Sequence, residues 1–422
     1  MDCLPPELKS SIIDFLDPRS KAILIRLNYY YYQLAYKKLY YTLTFYIDPY
    51  TGNLSTRSLK LLYQLYSEHK LFQNNHILSN LKLFQWRVGY LNNVEYCPLP
   101  IPPCIRSLEL SACQIDPKII FPLLERLVIR RVTDKETSWV HRQVRSSNIK
   151  ELSISGFSAV QHISILKILR PEEEKLVALE SLELEYIHLD SWPLPARICL
   201  KELAFRYCSN TGQINQLCGP NVSKLKKFTF VSDVDIENVL GFRKMLSACQ
   251  ELKELVLLLG GRTSVLPLQW LRPVFSNLQT LIIETRRDTI LPMVIMDYSL
   301  EDLELVIHDC PKLEVLGMPL CISFEMTRYI NPIPLAQLRV LHVRNLLAPQ
   351  STAQCLERAS KYLARALLTL QPSIVLLVGN CHCPRIWKVF NVALSSRRRA
   401  PVVEELYGNN YEYVNARWIE TL

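Results

Sequence analysis

Cys381-His382-Cys383 places three potential metal ligands side by side. Structural zinc takes four ligands, ordinarily as two separated pairs, and no second pair at that spacing accompanies this trio. His141, His162 and His308 stand alone, with no H-E-x-x-H and no nucleophile–base arrangement around them. Glycine is scarce, 11 residues against 25 prolines, and neither G-x-G-x-x-G nor a phosphate loop with its lysine occurs. No catalytic residue, metal ligand or cofactor is therefore assigned, and the chain is expected not to be an enzyme. The 13 cysteines are odd in number and lack the spacing of a disulfide framework, which predicts free thiols in a reduced cytoplasmic or nuclear protein. The start MDCLPPELKSS has no basic and apolar signal segment. Apolar stretches such as Ile374–Val378 fall far short of the ~20 residues that span a bilayer, so no membrane association is expected.

Nucleic acid is the next chemistry to weigh. The net charge is +9, but 49 basic against 40 acidic residues is a mild excess spread along the chain, and Arg397-Arg398-Arg399 reads as solvated surface. Tyr29 to Tyr32 are consecutive, and on a helix they point about 100° apart. They cannot form one stacking platform. A nucleic-acid surface needs basic residues interleaved with exposed aromatics on one face, so that partner is disfavoured.

The elements that position these residues repeat. One pattern, aliphatic-x-x-aliphatic-x-aliphatic, begins at Ile105, Leu124, Ile149, Leu179, Leu200, Leu225, Leu252, Leu278, Leu313 and Leu338. The copies are spaced by roughly 20 to 35 residues, the range of stacked repeat units. A short strand alternates its side chains, so the two close apolar residues face inward and those between them face outward. A unit of this size cannot bury its apolar face alone; neighbours must stack. The pattern resembles leucine-rich repeats, and in the first copy Ile105, Leu108, Leu110, Cys113 and Ile115 fill every fixed position of that signature. Cys208 and Cys321 take the same turn slot as Cys113, which makes these cysteines small packed groups and not reactive ones.

Leu300–Leu305 also fits the strand template but starts too close to Leu313, so Leu300 to Asp309 is predicted to be a helical return. Ile236, Val239, Leu240, Met245 and Leu246 predict another helical face. Residues 355–370 and Ile374–Val378 read as a last helix and strand, and 381–422, with Trp387 and Trp418, as a cap over the open end.

Upstream lies LPPELKSSIIDFLDPRSKAILIRLNYYYY. Pro5-Pro6 suits a first helical turn. Leu8, Ile12 and Leu16 form one stripe, widened by Ile13 and Phe15. After Asp17-Pro18 a second helix carries Ile23, Leu24, Leu27, Tyr31 and Leu34. The segment resembles an F-box on Leu4, Pro5, Glu7, Leu8, Ile12, Leu16, Asp17, Pro18 and Leu27, with Tyr31 where that family commonly has tryptophan; Lys21 and Asn28 depart from its pattern. The whole chain is similar to fungal F-box proteins with irregular leucine-rich repeats.

The resemblance implies an α/β protein: a small helical F-box at 1–45, a helical linker and N-terminal cap at 46–100, a leucine-rich-repeat solenoid at 101–380 and a C-terminal cap at 381–422. Parallel strands would line the concave side and helices the convex side. It further implies the substrate-recognition subunit of a cullin-based ubiquitin ligase. A Skp-type adaptor, and through it cullin, would be held by Leu4, Pro5, Leu8, Ile12, Leu16 and Leu27, while Ile23, Leu24 and Leu34 pack back onto the linker. An unidentified protein target would meet the outward strand positions, among them Glu109, Arg130, Glu183, Glu185, Arg206, Tyr207, Glu284, Arg286 and Arg344. The alternatives are a non-degradative repeat scaffold and, further off, a nucleic-acid binder.

Overall fold

The computed structural model describes residues 105–320 with short internal breaks, 338–344 and 374–378. Outside these it describes the strands at 42–46, 83–87, 95–96, 388–393 and 402–405 and isolated positions within 9–31 and 360–364. The protein is α/β, with extensive parallel sheet and few helices, in two compact units, Met1–Asp190 and Ser191–Leu422.

In the first unit, strands β1 (Thr42–Tyr46), β2 (Leu83–Arg87), β3 (Ser107–Ser111), β4 (Arg126–Val132), β5 (Glu151–Gly156) and β6 (Ser181–Glu185) lie side by side in sequence order, all parallel. Leu108, Leu127, Leu152 and Leu182 stand directly opposite one another, strand to strand. All four are buried, as are their partners two residues on, Leu110, Ile129, Ile154 and Leu184. The template leucines thus form the core. Strands β1 and β2 lie upstream of the first copy of the repeat, β2 inside the stretch expected to be helical.

The second unit continues the same construction. Its strands are β7 (Glu202–Arg206), β8 (Lys227–Ser232), β9 (Glu254–Leu259), β10 (Thr280–Arg287), β11 (Val294–Met296), β12 (Val315–Met318), β13 (Val340–Val343), β14 (Val375–Val378), β15 (Lys388–Ala393) and β16 (Val402–Glu405). Here β7, β8, β9, β10, β12, β13 and β14 run parallel, with Leu203, Phe228, Leu255, Leu281, Leu316, Leu341 and Leu376 aligned across them. Strand β11 folds back antiparallel on β10, and β15 and β16 add antiparallel beyond β14. Such hairpin-type pairings need no long crossover.

A backbone device accompanies each step. The carbonyl of Arg106 accepts from both Glu125 N–H (2.8 Å) and Arg126 N–H (2.9 Å), and that of Glu125 from Lys150 and Glu151. The carbonyls of Lys201, Lys226, Lys253, Gln279 and Glu314 do the same for the strand that follows each. These shared bonds lock the register at the start of each of these strands.

Helices fill the returns. Helix α1 (Asp134–Ser146) buries Trp139, Val140 and Val144. Its fully buried Gln143 accepts from Phe121 N–H (2.9 Å) and donates to Phe121 O (2.8 Å), tying the preceding turn to the helix. Helix α2 (Val239–Ala248) turns Phe242, Met245 and Leu246 inward, where Phe242 packs about 6 Å from the rings of Phe228 and Phe230. Leu240, expected on that buried face, is instead 71% exposed. It lies two residues from Phe242, roughly 200° around the helix. After the short α3 (Arg272–Phe275) comes α4 (Leu300–Asp309), the expected helical return. A reciprocal cap starts it: Ser299 Oγ accepts from Asp302 N–H, and the Asp302 carboxylate accepts from Ser299 N–H.

Candidate functional site

The residues between the inward leucines occupy the opposite face of each sheet, in rows set by the register. In the first unit one row reads Glu109, Val128, Ser153, Glu183. Glu109 and Val128 are buried, whereas Ser153 and Glu183 are half-buried, with the Ser153 hydroxyl donating to Glu183 Oε2 at 3.0 Å. Arg130 is exposed and Glu185 half-buried. This is a polar, partly open strand face with both signs of charge. Strand β4 bulges between Ile129 and Val132, and Arg131 takes a left-handed conformation there. Tyr186 and Tyr207 do likewise at the equivalent place after their strands, so the chain leaves several strands by one turn geometry.

The second unit is different. Val231, Val256, Leu258 and Ile282 form a buried apolar cluster on the face expected to be open, with Tyr207 packed against it. Thr229 is buried beside them. Glu284 and Arg344, expected as outward positions, are buried to 0% and 1% exposure and bound to each other: Arg344 Nη2 and Nε reach Glu284 Oε2 at 2.5 and 2.6 Å. With Glu109 they are corrections to the sequence expectation. Glu284 lies on β10, two residues from the covered Ile282, and charges that leave water must pair. His342 is fully buried on the same face, and that burial, reinforced by the Arg344 charge, holds its pKa well below the ordinary range. Arg206 and Tyr207 are half-buried.

Of the expected adaptor-binding residues, Ile12 and Leu16 are described, both half-buried; Leu4, Pro5, Leu8 and Leu27 lie outside the described residues. Ile13, one residue round the helix from Ile12, is fully buried, and Tyr31 is buried as its packing role requires. Ile23, expected to pack inward, is 56% exposed. At three-residue spacing from Ser20, which is itself half-buried, it projects on the wet side.

Two polar clusters invite a chemical reading and both resolve as structural. The Ser164 hydroxyl and Leu166 N–H donate to the Asp190 carboxylate, and His188 Nε2 lies 3.7 Å from its other oxygen. A hydrolytic triad needs histidine between nucleophile and carboxylate; here the carboxylate is in the middle. Arg262 is ion-paired with Asp235, donates to Ser264 O (3.1 Å) and lies 5.4 Å over the Trp270 ring. Nearby, the Tyr298 hydroxyl donates to Leu266 O at 3.0 Å, with its pKa raised by burial. These bonds knit the loops after β8 and β9.

Cys208, Cys249 and Cys310 are buried free thiols, and burial pushes the latter two up to about 12. Cys208 thus fills its turn slot as expected, whereas Cys321 lies outside the described residues. Among the described residues no group of three or more His, Cys, Asp or Glu is placed to hold a metal, and no helix is long and apolar enough to cross a membrane. The sequence matches no protein-family model and no curated protein.

Proposed function

We propose that this chain is a non-catalytic recognition subunit, in which a leucine-rich-repeat solenoid holds a protein target and an F-box-like N-terminal segment docks a Skp-type adaptor of a cullin-based ubiquitin ligase. One observation carries the first half. Successive copies align in register and in sequence order, so their outward residues fall in rows, and in the first unit the row around Ser153, Glu183, Glu185 and Arg130 keeps access to water. A repeat stack presenting such rows binds extended surfaces. The closed apolar face of β8, β9 and β10 moves the proposed strand-face contact to the first unit and away from Glu284 and Arg344. Support for the second half is the N-terminal sequence itself, together with Ile12 and Leu16 half-buried beside a buried Ile13. The contribution to ubiquitination would be proximity, raising the effective concentration of a target lysine near the charged conjugating enzyme.

The test is co-purification with a Skp-type adaptor, comparing wild type with Leu8→Asp/Ile12→Asp. Loss of capture by a variant with unchanged circular dichroism is expected. Full capture by that variant rejects the docking assignment, and capture of adaptor without cullin turns the reading to a non-degradative scaffold.

A further inference from the structure

At the position before the parallel strands named above one carbonyl receives two N–H donors, so its occupants are stacked as tightly as the strands, at about 4.8 Å per step. In the first unit these occupants alternate in sign and pair. Arg106 Nη1 meets Glu125 Oε1 at 2.7 Å, and Lys150 Nζ meets Glu125 Oε2 at 3.0 Å. The bond from Lys150 lowers the Glu125 pKa, as an alternating ladder should. In the second unit the same position reads Lys201, Lys226, Lys253, then Gln279, Glu314 and Arg339. Lys226 N–H donates to Lys201 O at 2.7 Å and Lys253 N–H to Lys226 O at 2.8 Å, so the three lysines are consecutive rungs. All three are exposed, and neither Lys226 nor Lys253 is ion-paired among the described residues.

Like charges on adjacent strands weaken a sheet. The first unit shows the arrangement that stability favours, and the second departs from it at three successive rungs. No ion pair among the described residues accounts for Lys226 beside Lys253, whereas a partner carrying negative charge does. We propose that Lys201, Lys226 and Lys253 form a docking ladder for a short acidic segment of a partner protein. Its length sets the size of the ligand, since three rungs span about 10 Å and the row ends in Gln279 and Glu314. The neighbouring row brings Glu202 and Glu254, the latter 3.4 Å from Lys227, which would repel a long polyanion laid across it. A single-stranded nucleic acid would also need exposed aromatic rings on the same surface. The phenylalanines of these copies, Phe205, Phe228, Phe230 and Phe242, are interior, and the half-buried Tyr207 is packed against the apolar cluster of Val231, Val256, Leu258 and Ile282. A cluster of two or three carboxylates fits; a phosphodiester chain does not.

The inference deepens the target-holding half of the proposed function and rests on it for the partner being a protein. Its test involves no adaptor, so the two can fail separately. The full chain is titrated against a fluorescein-labelled oligoglutamate peptide, with fluorescence anisotropy as readout, alongside labelled oligothymidine. Wild type is expected to bind oligoglutamate, more weakly as salt rises. Lys226→Glu/Lys253→Glu should weaken binding by about tenfold, from two attractions turned into repulsions. The same charge change on exposed residues of α2, Arg243→Glu/Lys244→Glu, should leave it nearly unchanged. Should the reversed pair melt early by circular dichroism, Lys226→Gln/Lys253→Gln decides, with a smaller loss in the same direction. Absent wild-type binding, equal losses in ladder and control variants, or tighter ladder-dependent binding of oligothymidine would each overturn the proposal.

Discussion

Arg344 and Glu284 show at the residue scale how strongly covering a strand face changes the meaning of a side chain. In water the pair would contribute little. Buried to near-zero exposure, each charge is offset by the other, and removing one takes the ion-pair partner from a buried charge. Arg344→Ala should therefore cost about 3–5 kcal/mol in urea unfolding, while Glu284→Leu/Arg344→Met should recover most of that loss. His342, on the same face, makes stability depend on pH. Its folded pKa lies below the unfolded value of about 6.5, so between the two the unfolded chain binds a proton that the folded chain refuses. The stability contributed by the neutral ring is complete above about 6.5 and declines as pH falls through that value. His342→Leu should flatten the decline in stability measured between neutral and mildly acidic pH; an unchanged slope would remove His342 as its source. The thiols follow from burial too. Cys199 is exposed, whereas Cys249 and Cys310 are buried and held protonated. Brief native alkylation mapped by mass spectrometry should label Cys199 and spare the other two until urea is added.

Single contacts set the fit of whole elements. A Cβ on Gly156 would lie 2.5 Å from the Tyr186 carbonyl oxygen, on backbone that cannot swing aside. Gly156→Ala should force β5 and the turn after β6 apart, at about 1–3 kcal/mol, seen as a lowered urea midpoint. Helix α4 depends on its cap, and Ser299→Ala should cost about 1 kcal/mol. That helix is legible in the sequence, because Leu300 begins too soon before Leu313 for both to open strands. The closed face was legible as well, by a different signal from the repeat template. Strands β3, β5 and β6 read SLELS, ELSISG and SLELE, alternating apolar with polar, the pattern of a sheet wet on one side. Strands β8 and β9 read KFTFVS and ELVLLL, near-continuous apolar runs that mark burial on both faces. A template that scores only the inward leucines sees the two groups as equal, and so places Glu284 and Arg344 outside. What covers them comes from elsewhere in the chain, and no periodicity within a strand encodes that.

At the scale of the molecule, the same in-register stacking that makes the fold readable also dictates how it should come apart. Each copy of the repeat touches chiefly the copies before and after it, which makes stability close to a sum of local and nearest-neighbour contributions. The aligned leucines carry no information about distant copies, so sequence spacing alone could find the strands and their order. The lysine ladder escaped that spacing because its meaning lies between copies: Lys201, Lys226 and Lys253 look ordinary until the shared carbonyls stack them. Phe228 offers the sharpest probe of this construction. Fully buried, it packs 6.4 Å from Phe205 and Phe230 and 6.3 Å from Phe242. Phe228→Ala should remove about 3–5 kcal/mol from its site. If energy is shared mainly between neighbours, native-state hydrogen exchange should rise in β7, β8, β9 and α2, while β13 and β14, several strands away in the same unit, keep their protection. Uniform loss of protection across all of these strands would instead mean that the unit unfolds as one cooperative block, with coupling well beyond adjacent copies.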